Sequence, residues 1–129
     1  MSLNDSLSNA LATIMNAERV GKRECLIRPS SGLIKKVLEL MQTNGYIGGF
    51  TESKERKENI TVSLLGQINK CNSIKPRFSV QNAEFEKFEN RFLPAKDFGI
   101  LIISTSKGLM TLNEAKKRKI GGKLIAFCY

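Results

Sequence analysis

Residues 104–111 read STSKGLMT and place three hydroxyl side chains, Ser104, Thr105 and Ser106, directly before Lys107 and Gly108. Two chemistries suit such a cluster. Formally, Ser104-Thr105-Ser106-Lys107 is S-x-x-K, which sets a serine nucleophile near a lysine base. That reaction wants the pair one turn apart on a helix. Here it follows FGILII (98–103), an apolar run with the pattern of a buried strand. Neither S-D-N nor K-T-G occurs, nor does the phosphate-loop pattern G-x-x-x-x-G-K-[ST]. The chain contains no histidine, which removes Ser-His-Asp and Cys-His mechanisms. The expectation is therefore a protein that is not an enzyme. The second chemistry is nucleic-acid recognition. Hydroxyls, the Lys107 ammonium and backbone N–H groups opened by Gly108 can bond phosphates, ribose 2′-hydroxyls and base edges. Turn and cap bonding would use one or two of the hydroxyls at most.

The charge pattern favours the second chemistry. Net charge is +9 and unevenly spread: residues 1–64 carry nine Lys and Arg against seven Asp and Glu, residues 65–129 twelve against five. Such segregation points to a polyanion on the C-terminal half. Lys116, Lys117, Arg118, Lys119 and Lys123 follow the hydroxyl stretch closely and offer phosphate contacts. INKCNSIKPRF (68–78) adds Lys70, Lys75 and Arg77 around Pro76. RPSS (28–31) puts Arg28 near Lys35 and Lys36, with Ser30 and Ser31 at a helix start that can hold a phosphate or simply cap the helix. A basic protein-interaction module without a specific RNA site is the competing reading.

Positioning these groups takes two subdomains. Leu3, Leu7, Leu11 and Ile14 form a helical stripe, entered through Asn4 or Asp5 and stopped near Gly21. ECLIRP is a short strand that Pro29 ends. A second helix, capped by Ser30 or Ser31, carries Leu33, Val37, Leu40 and Met41, widened by Ile34 and Leu38, and ends at Asn44-Gly45. YIGGF and NITVSLL are strands around a polar tip, giving α-β-α-β-β. The boundary falls at 66/67: an N-terminal α/β subdomain over 1–66 and a C-terminal, mainly β subdomain with short helices over 67–129. In the latter, Asn82 caps a helix whose Phe85, Phe88 and Phe92 face the core, and FGILIIS is a central strand. Thr111 and Glu114 form a capping box, Gly121-Gly122 breaks the short helix that follows, and KLIAFCY is a last strand. The fold class is α+β. Cys25, Cys71 and Cys128, an odd number without C-x-x-C, read as small half-buried residues rather than a disulfide framework or a metal site. No cofactor or metal is expected. No apolar run approaches the ~18 residues of a membrane span, and the start lacks a signal-peptide pattern, so the cytoplasm is the expected location.

Five stretches in this order carry a resemblance: LSNALATIMNAE, IRPSSGLIKKVLELMQTNGYIG, GQINKCNSIKPRF, RFLPAKDFGILIISTSKGLMT and EAKKRKIGGKLIAFCY. Together they cover most of the chain, which resembles the universal small-subunit ribosomal protein S-eight family. The INKCNSIKPRF segment favours its archaeal or eukaryotic cytosolic form. The resemblance implies two tightly packed subdomains and direct binding to the central domain of small-subunit ribosomal RNA during assembly, beside neighbouring small-subunit proteins. It implies RNA contacts from Ser104, Thr105, Ser106, Lys107, Gly108, Met110 and Thr111, with Gly121 and Gly122 allowing close backbone approach. For a second RNA stem it points to Asn4, Arg28, Ser30, Ser31 and Lys35.

Overall fold

The leucine spacing at the start of the chain produces a helix with one buried face. In α1 (Ser6–Arg19), Leu7, Ala10, Leu11, Ile14 and Ala17 are buried. The helix closes by two bonds of its last turn, Gly21 N–H to the Glu18 carbonyl at 3.1 Å and Lys22 N–H to the Ala17 carbonyl at 2.9 Å. The computed structural model describes residues 6–27, 32–52, 59–74, 77–95 and 98–129, so the expected caps at Asn4, Ser30 and Ser31 lie outside it. In α2 (Gly32–Thr43) the buried residues are Ile34, Val37, Leu38 and Met41. This corrects the stripe read from the sequence, because Leu33 and Leu40 are only half-buried and flank the core face. Each full burial of such a side chain is worth about 1.5–3 kcal/mol relative to exposure. Gly45 ends α2 at φ +81 as expected.

Strands β1 (Glu24–Ile27), β2 (Ile47–Glu52) and β3 (Ile60–Leu64) form an antiparallel sheet in the order β1-β3-β2. Ile27, Ile60 and Val62 are buried on it. The order α-β-α-β-β is the one the sequence predicts. The chain divides into two compact units, Met1–Cys71 and Asn72–Tyr129.

The second unit is built on a five-stranded sheet. β4 (Cys71–Ser73) carries the chain into it, and β5 (Ser79–Val80), β6 (Ile100–Thr105), β7 (Gly108–Thr111) and β8 (Gly122–Cys128) complete it. The order is β4-β8-β6-β7, with β5 also pairing β8. Helices α3 (Phe85–Phe92) and α4 (Leu112–Arg118) are both short. Phe85, Phe88, Leu101, Ile103, Met110 and Leu124 lie in one core cluster, against which Phe92 is partly buried. The architecture is α+β, as the sequence predicts.

Four local expectations change. β4 lies within INKCNSIKPRF, where no periodicity announces an element, and GLMT, which shows none either, forms β7. Asn82 does not cap α3: it lies in a single 3₁₀ turn (Asn82–Glu84), and the preceding Gln81 donates its N–H to the Glu84 carboxylate at 3.1 Å. The end of α4 is set by Lys119, which takes the left-handed conformation (φ 56, ψ 41), and not by Gly121-Gly122.

All three cysteines sit in strands, Cys25 on β1, Cys71 on β4 and Cys128 on β8, and all are thiols. Burial, reinforced by Glu18, pushes the Cys25 thiol up to about 11. Because its folded value lies above the ordinary 9.0, its contribution to stability is intact below pH 9 and is lost as pH rises through 11. Urea denaturation across pH 8–11 should show this loss in the native chain and a flatter profile in Cys25→Ala.

Candidate nucleic-acid interface

The stretch STSKGLMT folds as the β6–β7 hairpin. Ser104 pairs with Leu109 and Thr105 with Gly108, leaving Ser106 and Lys107 as the two-residue turn, with Gly108 at φ +108. Ser104 and Thr105 are therefore the last two residues of β6. This also separates Ser104 from Lys107 along a hairpin, whereas S-x-x-K chemistry needs one helical turn. The Thr105 hydroxyl donates to the Gly108 carbonyl at 2.9 Å and accepts from the Lys107 N–H at 3.1 Å. It locks the turn that carries its neighbours. Ser106, Lys107 and Gly108 are exposed. Met110 is 6% exposed and faces the core, where it pairs with Ile103. Its side chain is absent from the surface that the sequence assigned to it. Thr111 caps α4, accepting from the Glu114 N–H at 3.3 Å.

The sheet register builds a polar row beside this turn. Ile103 is opposite Met110 on one side and Leu124 on the other, and all three belong to the core. One residue further, alternation turns Ser104 to the opposite face, where it stands between Leu109 and Lys123. Lys123 in turn pairs with Ser79 on β5. Ser79, Lys123, Ser104 and Leu109 thus form a row across four strands, roughly 14 Å long at ~4.8 Å per strand. Beside it, Gln81, Asn82, Lys119 and Gly121 line a groove of about 530 Å³ together with Ser79 and Lys123. Lys123 stood in the basic run, but its place next to Ser104 follows from pairing alone. Ser79 was missed; its signal was the alternation of Phe78, Ser79 and Val80.

The two glycines that precede the row are there for close approach. A Cβ on Gly121 would meet the Val80 carbonyl oxygen at 2.5 Å, and one on Gly122 would collide with the Ser104 carbonyl oxygen. β8 can lie this close to β5 and β6 only because neither residue has a side chain.

The basic residues separate into two groups. Lys116 is paired with Glu89 of α3, which is 4% exposed. Arg118 pairs with Glu114 at 3.6 Å along α4, and Lys35 with Glu52 on β2. These three are engaged within the protein. Lys107, Lys117, Lys119, Lys123 and Arg77 are exposed and have no carboxylate partner among the described residues. Asn4, Arg28, Ser30, Ser31 and Lys75 lie outside the described residues.

Two stability tests separate structure from surface. Thr105→Val should destabilise the protein by about 1 kcal/mol through loss of the turn bonds, whereas Ser106→Ala should leave the urea midpoint unchanged. Gly122→Ala should cost about 1–3 kcal/mol, as forced overpacking does, measured in the same denaturation experiment.

No described helix is long and apolar enough to cross a membrane. A family model described as Ribosomal protein S8 matches residues 5–129, and the chain therefore belongs to that family, a family of small-ribosomal-subunit proteins.

Proposed function

We propose that the chain binds the central domain of small-subunit ribosomal RNA directly, through its C-terminal part from about residue 67 onward, and helps organise that RNA as the subunit assembles. It works there beside neighbouring small-subunit proteins, in the cytosolic ribosome of an archaeon or a eukaryote. The observation that carries this reading is the row Ser79–Lys123–Ser104, beside the hairpin turn of exposed Ser106 and Lys107. It joins hydroxyl groups, cations without a carboxylate partner among the described residues, and closely packed backbone on rigid strands. Hydroxyls suit base edges and 2′-hydroxyls, and the cations suit phosphates. Phosphate contacts come chiefly from Lys107, Lys117, Lys119, Lys123 and Arg77. Lys116, committed to Glu89, ties α4 to α3, while Arg118 pairs with Glu114 within α4. In the N-terminal part, Arg28, Ser30 and Ser31 are the candidates for a second stem with Asn4, while Lys35 is held by Glu52.

The test is a titration with a central-domain RNA fragment over a salt series, with excess transfer RNA as competitor. Binding should survive the competitor. Ser106→Ala should weaken it by about 1–3 kcal/mol, the cost of removing a buried hydrogen bond. Lys107→Gln and Lys117→Gln should each flatten the salt dependence by roughly one unit of slope, the value for one phosphate that is no longer neutralised. Complete displacement by transfer RNA would reduce the surface to nonspecific charge and overturn the reading.

A further inference from the structure

We propose that Arg91, stacked on the rings of Phe78 and Phe92, is a pre-oriented phosphate-binding residue that gives the protein an RNA contact on α3 in addition to the polar row. This rests on the RNA-binding reading above and adds a contact region to it.

Arg91 lies in the last turn of α3. Its guanidinium carbon is 4.9 Å from the Phe78 ring centroid and 5.4 Å from that of Phe92, and the two rings are 6.5 Å apart. The guanidinium therefore covers the seam between two partly buried aromatic rings. A cation near a helix C-terminus is favourable in itself, but a lysine would serve that purpose. What the rings add is orientation. A guanidinium held against aromatic faces keeps its N–H edge turned outward and loses less side-chain freedom when it binds a forked anion. Arg91 is exposed and has no carboxylate partner among the described residues. In this it differs from Lys116 and Arg118, which α4 uses internally.

A second cation shares the ledge, and a third is next to it in sequence. Lys87, one turn earlier on α3, has its ammonium 5.8 Å from the Phe88 ring centroid, and Phe88 packs on Phe78 at 5.6 Å. Arg77 immediately precedes Phe78 and is exposed. The ledge and the polar row meet along the β5 edge but use opposite faces of the sheet: Phe78 packs on the core side with Leu124, and Ser79 turns to the other. The Phe78 carbonyl accepts the Leu124 N–H at 3.0 Å, and the next residue, Ser79, pairs with Lys123. The RNA-binding reading on which this inference rests selects an RNA phosphate as the ligand over a protein carboxylate. Base stacking is a poorer fit, because Arg91 and Lys87 already lie over the Phe78 and Phe88 rings.

The experiment compares wild type, Arg91→Gln and Arg91→Lys in titrations with the central-domain RNA fragment over a salt series, with Ser106→Ala in parallel and a thermal melt of each protein. Arg91→Gln should lower the slope of log K against log salt by about 0.7–0.9, the value for one phosphate, and weaken binding severalfold at moderate salt. Arg91→Lys should restore the slope while binding more weakly than wild type, because the planar fork is gone. If Arg91→Gln matches wild type in slope and affinity while Ser106→Ala weakens binding, the RNA reading stands and the Arg91 inference is overturned. A lowered melting temperature with an unchanged slope would make Arg91 a packing residue and overturn it equally. If wild type itself fails to bind the fragment specifically, the underlying reading fails first.

Discussion

The pairing register between β6 and β8 is the constraint on which the polar surface depends. From Ile100 to Ile102 the partners run Cys128, Phe127, Ala126; after the irregularity, Ile103 meets Leu124 and Ser104 meets Lys123. Ile125 is the extra residue. Had the first register continued, Ser104 would have stood opposite Leu124 and Thr105 opposite Lys123. A one-residue slip exchanges the faces of a strand, and the bulge performs that slip at the point where β6 leaves the core. Up to Ile103 the strand is buried on both faces. Beyond it, one face still feeds the core through neighbouring strands and the other opens to solvent. The bulge thus lets an almost wholly apolar strand end in a polar row without breaking the sheet.

The same region shows how charge is divided between internal pairing and exposed surface. Glu89 is nearly inaccessible, and a buried carboxylate without a partner is costly. Lys116 supplies that partner and ties α4 to α3. Thr111 at the start of α4 and Lys119 at its end fix its length. A helix of seven residues has little intrinsic stability, so these contacts, with buried Leu112 and Ala115, define where it lies. With α4 fixed in this way, Lys117 and Lys119 project from an anchored element. Thr105 does the same for the hairpin: its hydroxyl is spent on the turn, and Ser106 and Lys107 are left exposed. In both cases one member of a chemically uniform run is structural so that its neighbours can be surface.

That division explains what the sequence could and could not convey. Periodicity located α1, α2 and the strands of the first unit, because burial on one face imposes it directly. FGILIIS announced a central strand, since only a strand buried on both faces tolerates such a run. The hydroxyl cluster and the basic half were equally plain. Which hydroxyl closes a turn, and which lysine meets a carboxylate 27 residues away in Glu89, are tertiary facts with no local pattern. Met110 looked like part of a polar stretch and is core, because β7 was not visible: four residues after a two-residue turn have too little periodicity to declare a strand. Gly121-Gly122 read as a helix stop. Its actual role, clearance against the carbonyls of Val80 and Ser104, appears only once β5, β6 and β8 are side by side.

Under the proposed RNA-binding role, mounting the row on buried strands has an energetic consequence. A flexible loop carrying the same serines and lysines would have to be ordered on association, at about 1–2 kcal/mol of backbone entropy per residue. Here Ser79, Lys123 and Ser104 are fixed by the sheet ladder, and the turn is closed by Thr105. The ordering cost is met during folding by the burial of Ile103, Leu124 and Met110 beneath the row. Hydrogen-bond geometry on the polar face is then set by packing on the apolar one, so a change in the core can displace the row without touching any residue in it.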